Sequence, residues 1–101
     1  MISEEIVKDN LENIKYYSVR RYALDSYIKE LCTNDIVDLT QKYNKAMEVA
    51  PIKLYHLYVL KYLKGCTQEY TAEEMGFTHT TIHSTHNELI RWLCNNISES
   101  D

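Results

Sequence analysis

A chain of 101 residues with two Gly, one Pro and 45% hydrophobic residues can bury one modest core but lacks the turn formers that hairpins require. A multidomain enzyme and an all-β fold are therefore excluded, and long helices with few loops are expected. Acids outnumber Lys and Arg 15 to 11, a balance that by composition alone speaks against a nucleic-acid binder.

The first predicted helix starts at Ser3, a good N-cap followed by Glu4 and Glu5 in the first turn. Its apolar stripe runs through Val7, Leu11, Ile14, Tyr17, Leu24, Ile28 and Leu31 in steps of three, four and seven. Residues 4–31 would make a rod of about 42 Å at 1.5 Å per residue, so it either breaks or packs against a partner. Read as heptads, the seam takes in Asn10 and Arg21, which leaves a homodimeric coiled coil open but poorly specified.

Thr33-Asn34-Asp35 marks a stop and a new cap, after which Ile36, Leu39, Tyr43, Ala46 and Met47 form the stripe of a second helix ending near Val49. Pro51 fits the first position of a third helix. Ile52, Tyr55, Leu57, Tyr58, Val59, Leu60 and Leu63 make that helix apolar on most sides, which predicts a central, buried position. Gly65 stands where a left-handed C-cap is expected, two residues before the next cap, Thr67.

From Thr67 the chain reads as a short helix, a three-residue turn and a longer helix, the plan of a helix-turn-helix. Ala72 supplies the small residue where the two helices cross, and Gly76 the residue tolerant of positive φ at the turn. Phe77 and Ile82 fill the wedge, Thr78 caps the second helix, and its stripe continues through Leu89, Leu93 and Ile97.

Leu63, Gly65, Thr67, Ala72, Met75, Gly76, Thr78, Thr81, Ile82, Leu89 or Ile90, and Leu93 together resemble the region-four domain of bacterial sigma factors. The same string is similar to small phage transcriptional regulators of the ArpU and RinA type. Upstream, the likeness is limited to helices with a basic, tyrosine-rich stretch. Thr71 stands where the family usually carries an apolar residue, and residues 83–88 lack its usual Arg and Lys. The resemblance implies an all-α fold of four to five helices with a C-terminal helix-turn-helix, whose second helix, residues 78–93, enters the major groove of double-stranded DNA.

The helical wheel gives an independent choice of residues. Opposite the apolar stripe lie Thr80, Thr81, Ser84, Asn87, Glu88 and Arg91, the candidates for base contacts. Phosphate contacts are expected from Lys53, Lys61, Lys64, Thr67, His79 and His83, because charge is segregated along the chain. Residues 1–14 carry Lys8 against four acids, residues 15–64 nine Lys or Arg against five acids, and residues 65–101 only Arg91 against six. Lys42 and Lys45 belong to the same basic middle.

His79, His83 and His86 share one strip of this helix at i, i+4 and i+7. A metal site with Cys66 or Cys94 is less economical than a partly buried His86 in the apolar stripe, so no metal is expected. Protonation of the strip near pH 6 would raise affinity for DNA as pH falls. Most of the nine tyrosines, all between residues 16 and 70, are expected at core and core-edge positions, and Trp92 in packing.

The expectation is one domain over residues 1–101, with residues 3–50 as N-terminal helices open to dimerisation and residues 51–97 as the helix-turn-helix region. No catalytic arrangement is present, so a non-enzymatic, cofactor-free, sequence-specific DNA-binding transcriptional regulator of phage or mobile-element type is expected. RNA polymerase or another transcription protein is a further expected partner. The alternatives are a protein adaptor using the acidic C-terminal half, or a DNA-recognition subunit of a phage packaging complex. Cys32, Cys66 and Cys94 are odd in number and widely spaced, which suits reduced thiols in a cytoplasmic protein, and no run approaches the ~18 apolar residues of a membrane span.

Overall fold

Local capping chemistry sets most of the helix boundaries. The computed structural model describes residues 2–23 and 34–97, which form five helices with no strand among them. These are α1 (Glu4–Ala23), α2 (Asn34–Met47), α3 (Ile52–Tyr58, continuing as a π-helical turn over Val59–Leu63), α4 (Gln68–Met75) and α5 (His79–Asn96). The Ser3 hydroxyl accepts the Ile6 N–H at 3.3 Å and so caps α1. The proposed positions Leu24, Ile28, Leu31 and Thr33 lie outside the described residues, as does Cys32. Pro51, expected inside α3, is instead the N-cap residue just before it, with φ −53°.

Val7, Leu11 and Ile14 of α1 are fully buried. They pack inside this chain, where α1 meets α2, α5 and the π-helical turn. The part of the coiled-coil seam from Val7 to Ile14 is thus used within this chain. Its polar member, Asn10, donates to the Tyr43 hydroxyl at 3.1 Å, and the Tyr58 hydroxyl donates to Asn44 Oδ1 at 2.6 Å. These two bonds tie α1 to α2 and α2 to α3, and each lets a tyrosine bury its ring with its hydroxyl partnered. Buried Thr40 and Thr71 donate to the backbone carbonyls of Ile36 and Thr67, each at 2.8 Å. The polar Thr71, unusual for the family resembled, is accommodated in this way.

As expected, α3 with its π-helical turn is the central helix, packing on α1, α2, α4 and α5. Ile82, Thr85, Leu89, Ile90, Leu93 and Cys94 of α5 are buried, and α5 packs on α1, α3 and α4. By contrast Ile52 is 86% exposed, with Val49 and Tyr55 also at the surface. The buried side of α3 is formed by Leu54, Leu57 and Tyr58. Beyond Tyr58 a regular α-helix would bring Lys61, seven residues after Leu54, onto that buried side. The chain widens instead, with the Lys64 N–H donating to the Val59 carbonyl five residues back at 2.9 Å. Tyr62 becomes the buried residue and Lys61 stays half-buried.

Two glycines end helices in the left-handed region, each with φ +69°. At Gly76 a Cβ would meet nothing within 4 Å, whereas at Gly65 it would come within 2.5 Å of Val19 Cγ2 on α1. Gly76→Ala is therefore expected to cost about 1–2 kcal/mol, the left-handed penalty alone. Gly65→Ala should cost more and loosen α1. Urea denaturation of the two variants checks the order, which would be reversed or lost if α1 did not pack on Gly65.

Candidate nucleic-acid interface

The last two helices are joined by a short connection with a cap at each end. Thr67 caps α4, its hydroxyl accepting the Tyr70 N–H at 3.1 Å. At the other end the N–H groups of Gly76 and Phe77 bond the Glu73 and Ala72 carbonyls at 3.2 and 2.9 Å, closing the helix through the left-handed glycine. Two residues later Thr78 caps α5, accepting the Thr81 N–H at 3.2 Å. Ala72 and Ile82 are buried at the crossing and Phe77 and Met75 pack against them.

This seating leaves the N-terminal half of α5 standing clear. His79, Thr80, Thr81, His83, Ser84 and Asn87 are all exposed, and Ile82 and Thr85 alone point fully inward. Five of the six wheel-selected residues thus share an open polar face in the sense of being exposed, but they are not equivalent. The Thr81 hydroxyl lies 3.1 Å from that of Thr78 and helps to cap the helix. Arg91, two turns along from Ser84, lines a groove with Ile2, Ser3, Glu4, Cys94 and Asn95. It therefore sits beside the acidic start of α1, away from the free end of α5. Glu88, the sixth, is half-buried and pairs with Lys53 Nζ at 3.0 Å.

The cations chosen for phosphate contacts separate in space. Lys53 is held in the pair with Glu88, both partners being nearly half exposed, so the pair itself adds only about 0–1 kcal/mol to stability. Lys61 is half-buried, with its ammonium 5.8 Å from the centre of the Tyr62 ring. Burial lowers its pKa, Lys15 lowers it further, and Glu12 opposes the shift. Lys64, His79 and His83 are exposed, while the Thr67 hydroxyl is taken up by capping. Lys45 is exposed on α2, which packs against α1 and α3, and Lys42 on the same helix is half-buried.

His86 turns inward. Its Nε2 is hydrogen-bonded to the Tyr62 hydroxyl and its ring stacks on that of Tyr62 with centroids 6.0 Å apart. Burial, and then Lys61, Lys8 and His83, depress its pKa to about 4. His86 therefore does not supply the positive charge expected of the histidine strip near pH 6. Among the described residues no group of three or more His, Cys, Asp or Glu could hold a metal ion, and Cys66 and Cys94 are free thiols. No helix in the described residues is long and apolar enough to cross a membrane.

Sequence reasoning counted Lys8 and noted the basic stretch that contains Lys15, but chose neither of them nor Arg20 of α1 as a contact residue. Lys8 and Lys15 are seven residues apart and so share one side of α1. Lys15 lines a groove with Glu12, Tyr16, Val19, Arg20 and Gly65. The Arg20 guanidinium lies 3.6 Å from the centre of the Tyr16 ring. Around the α1 wheel these cations alternate with Glu4, Glu5, Asp9 and Glu12, so the grouping of Lys15 and Arg20 in the groove follows from tertiary packing.

No family model, curated protein or solved structure matches the chain.

Proposed function

We propose that the protein is a sequence-specific DNA-binding regulator of transcription that uses α4 and α5 as a helix-turn-helix, with α5 in the major groove. One observation carries the reading: the N-terminal half of α5 presents an exposed, polar, uncharged face directly after α4 and the Gly76 turn. An α-helix of this kind fits the major groove, where Ser84 and Thr80 can bond donors or acceptors and Asn87 can pair with adenine. His79 and His83 flank this face. Cytoplasmic location, binding to double-stranded DNA without a catalytic step or cofactor, a phage or mobile-element origin, and contact with RNA polymerase or another transcription protein belong to the same proposal.

Selection of bound fragments from random duplex DNA at low salt is the test. Enrichment of one motif supports the reading, and a palindromic motif adds a homodimer. Asn87→Ala should then cost about 1–3 kcal/mol of discrimination at one base pair, measured by competition between the selected duplex and its single-base variants. Arg91→Ala should cost less, since Arg91 lies beside Glu4. No enrichment from the pool would sink the proposal.

A second reading is favoured by a different face. Glu69, Glu73 and Glu74 of α4 are all exposed, and Tyr70 lies exposed among them. The Tyr70 hydroxyl is held above its ordinary pKa, first by the charge of Glu74. In a protein adaptor this acidic surface would meet a basic partner, and Glu73→Gln with Glu74→Gln would weaken that binding while Asn87→Ala would leave it unchanged.

A further inference from the structure

The groove between α1 and the end of α3 concentrates positive charge that Glu12 offsets only in part. Its walls are Lys15, Tyr16, Val19 and Arg20 on one side and Gly65 on the other, with Glu12 as the acid that lines it. Lys61 reaches the same region from the π-helical turn, since Lys15 and Glu12 both act on its charge. Lys53 pairs with Glu88, whereas no carboxylate among the described residues lies within 4.0 Å of the charged groups of Lys15, Arg20 or Lys61. Two of them, Lys15 and Lys61, are half-buried. Like charges crowded together and partly removed from water oppose folding, and such an arrangement is a sign of a binding site for the opposite charge.

The chemistry of the walls narrows the ligand. Arg20 is stacked on Tyr16, which is itself 62% exposed. Stacking fixes the guanidinium plane and leaves its N–H edges free, the arrangement by which Arg binds phosphate. Because Gly65 lacks a side chain, its backbone can approach α1 closely; a Cβ there would collide with Val19. Two residues after Gly65 begins the cap of α4, so the groove leads toward the helix pair proposed to read DNA.

The position relative to α5 also fits. On the α5 wheel His86, on which Lys8 and Lys61 act, and Glu88, which pairs with Lys53, lie on opposite flanks of Thr80, Ser84 and Asn87. The open polar face of α5 lies between these two flanks. A duplex that receives α5 in its major groove carries a phosphate strand along each side of that groove.

We infer that the groove formed by Lys15, Tyr16, Arg20 and Gly65, with Lys61 beside it, binds the phosphodiester backbone of duplex DNA next to the stretch read by α5. This deepens the DNA-binding reading and rests on it. Under it, α1 is a second DNA-contacting element, and its phosphate contacts fix the position of α5 without reading sequence.

The experiment is a salt titration of anisotropy with a fluorescein-labelled duplex of random sequence, for the full chain and three variants. Lys15→Gln combined with Arg20→Gln should bind more weakly and make the log–log salt slope shallower by roughly two, since each neutralised phosphate contributes about 0.9. The charge-preserving pair Lys15→Arg and Arg20→Lys should keep most of the slope, which separates lost charge from lost folding. Asn87→Ala should leave the slope unchanged. If the unaltered chain binds and the Gln pair keeps its full slope, the groove inference is overturned while the DNA reading stands. If the unaltered chain binds no duplex, both are overturned. A single-stranded oligonucleotide competing as well as the duplex would overturn the placement beside a major groove.

Discussion

Leu89→Ala is expected to lower the free energy of unfolding by about 2–5 kcal/mol, the largest effect of any substitution considered for this protein. Leu89 is fully buried in the middle of α5, between Ile82 and Leu93, which are likewise inside. Truncation removes apolar surface from the core and leaves a cavity that the surrounding helices can close only in part. The helices around it are also the ones that hold the proposed interface, because α5 is packed by α1, α3 and α4 together. A domain of this size has a total stability of about 5–15 kcal/mol, and each kcal/mol moves its melting temperature by roughly 4–8 °C. A drop of at least about 10 °C is thus expected in thermal unfolding followed by circular dichroism. Ile52→Ala is the matching control: the side chain is 86% exposed, so its melting temperature should hardly change. Equal losses for the two variants would contradict the packing described.

That contrast marks where a one-dimensional reading succeeds and where it stops. Thr67, Gly76 and Thr78 were legible as the punctuation of α4 and α5, because a hydroxyl cap or a positive φ is decided by residues three or four positions away. Ser3, Gly65 and the stripe of Val7, Leu11 and Ile14 were legible for the same reason. Ile52 was misplaced because hydrophobicity alone marked it as core, although it opens a short helix next to an exposed turn. Tyr62 was missed because the stripe was extended at 3.6 residues per turn through a segment that widens to a π-helical turn. Arg91 was rightly placed on the exposed side of α5, but no local pattern shows that the start of α1 lies next to it. The pairing of Lys53 with Glu88 joins residues 35 apart in sequence and follows from tertiary packing alone. Lys15 and Arg20 were not singled out because no local pattern shows that Gly65, at the end of α3, lies against their part of α1.

Acidification from pH 7 to pH 5 is expected to destabilise the protein in part through His86. An unfolded histidine titrates near 6.5, whereas burial and the neighbouring Lys61, Lys8 and His83 hold folded His86 to about 4. A depressed folded pKa means that the unfolded chain takes up the proton first. The stability contributed by neutral His86 is therefore fully present above about pH 6.5, and it is lost progressively as pH falls toward 4. The structural cause is visible in its contacts. A neutral imidazole can offer Nε2 to the Tyr62 hydroxyl as donor or acceptor, while an imidazolium can only donate and would sit charged against Lys61 and Lys8. Allowing for solvent screening at a side chain that is not fully enclosed, the contribution lost by pH 5 is about 1 kcal/mol. His86→Gln can keep a hydrogen bond to Tyr62 but does not titrate in this range. Urea midpoints at pH 7 and pH 5 should therefore fall less for His86→Gln than for the unaltered chain, by the share that His86 supplies, whatever the carboxylates add to both. A fall of equal size in the two proteins would show that His86 is already free to protonate in the folded state, and that the Tyr62 contact does not hold it neutral.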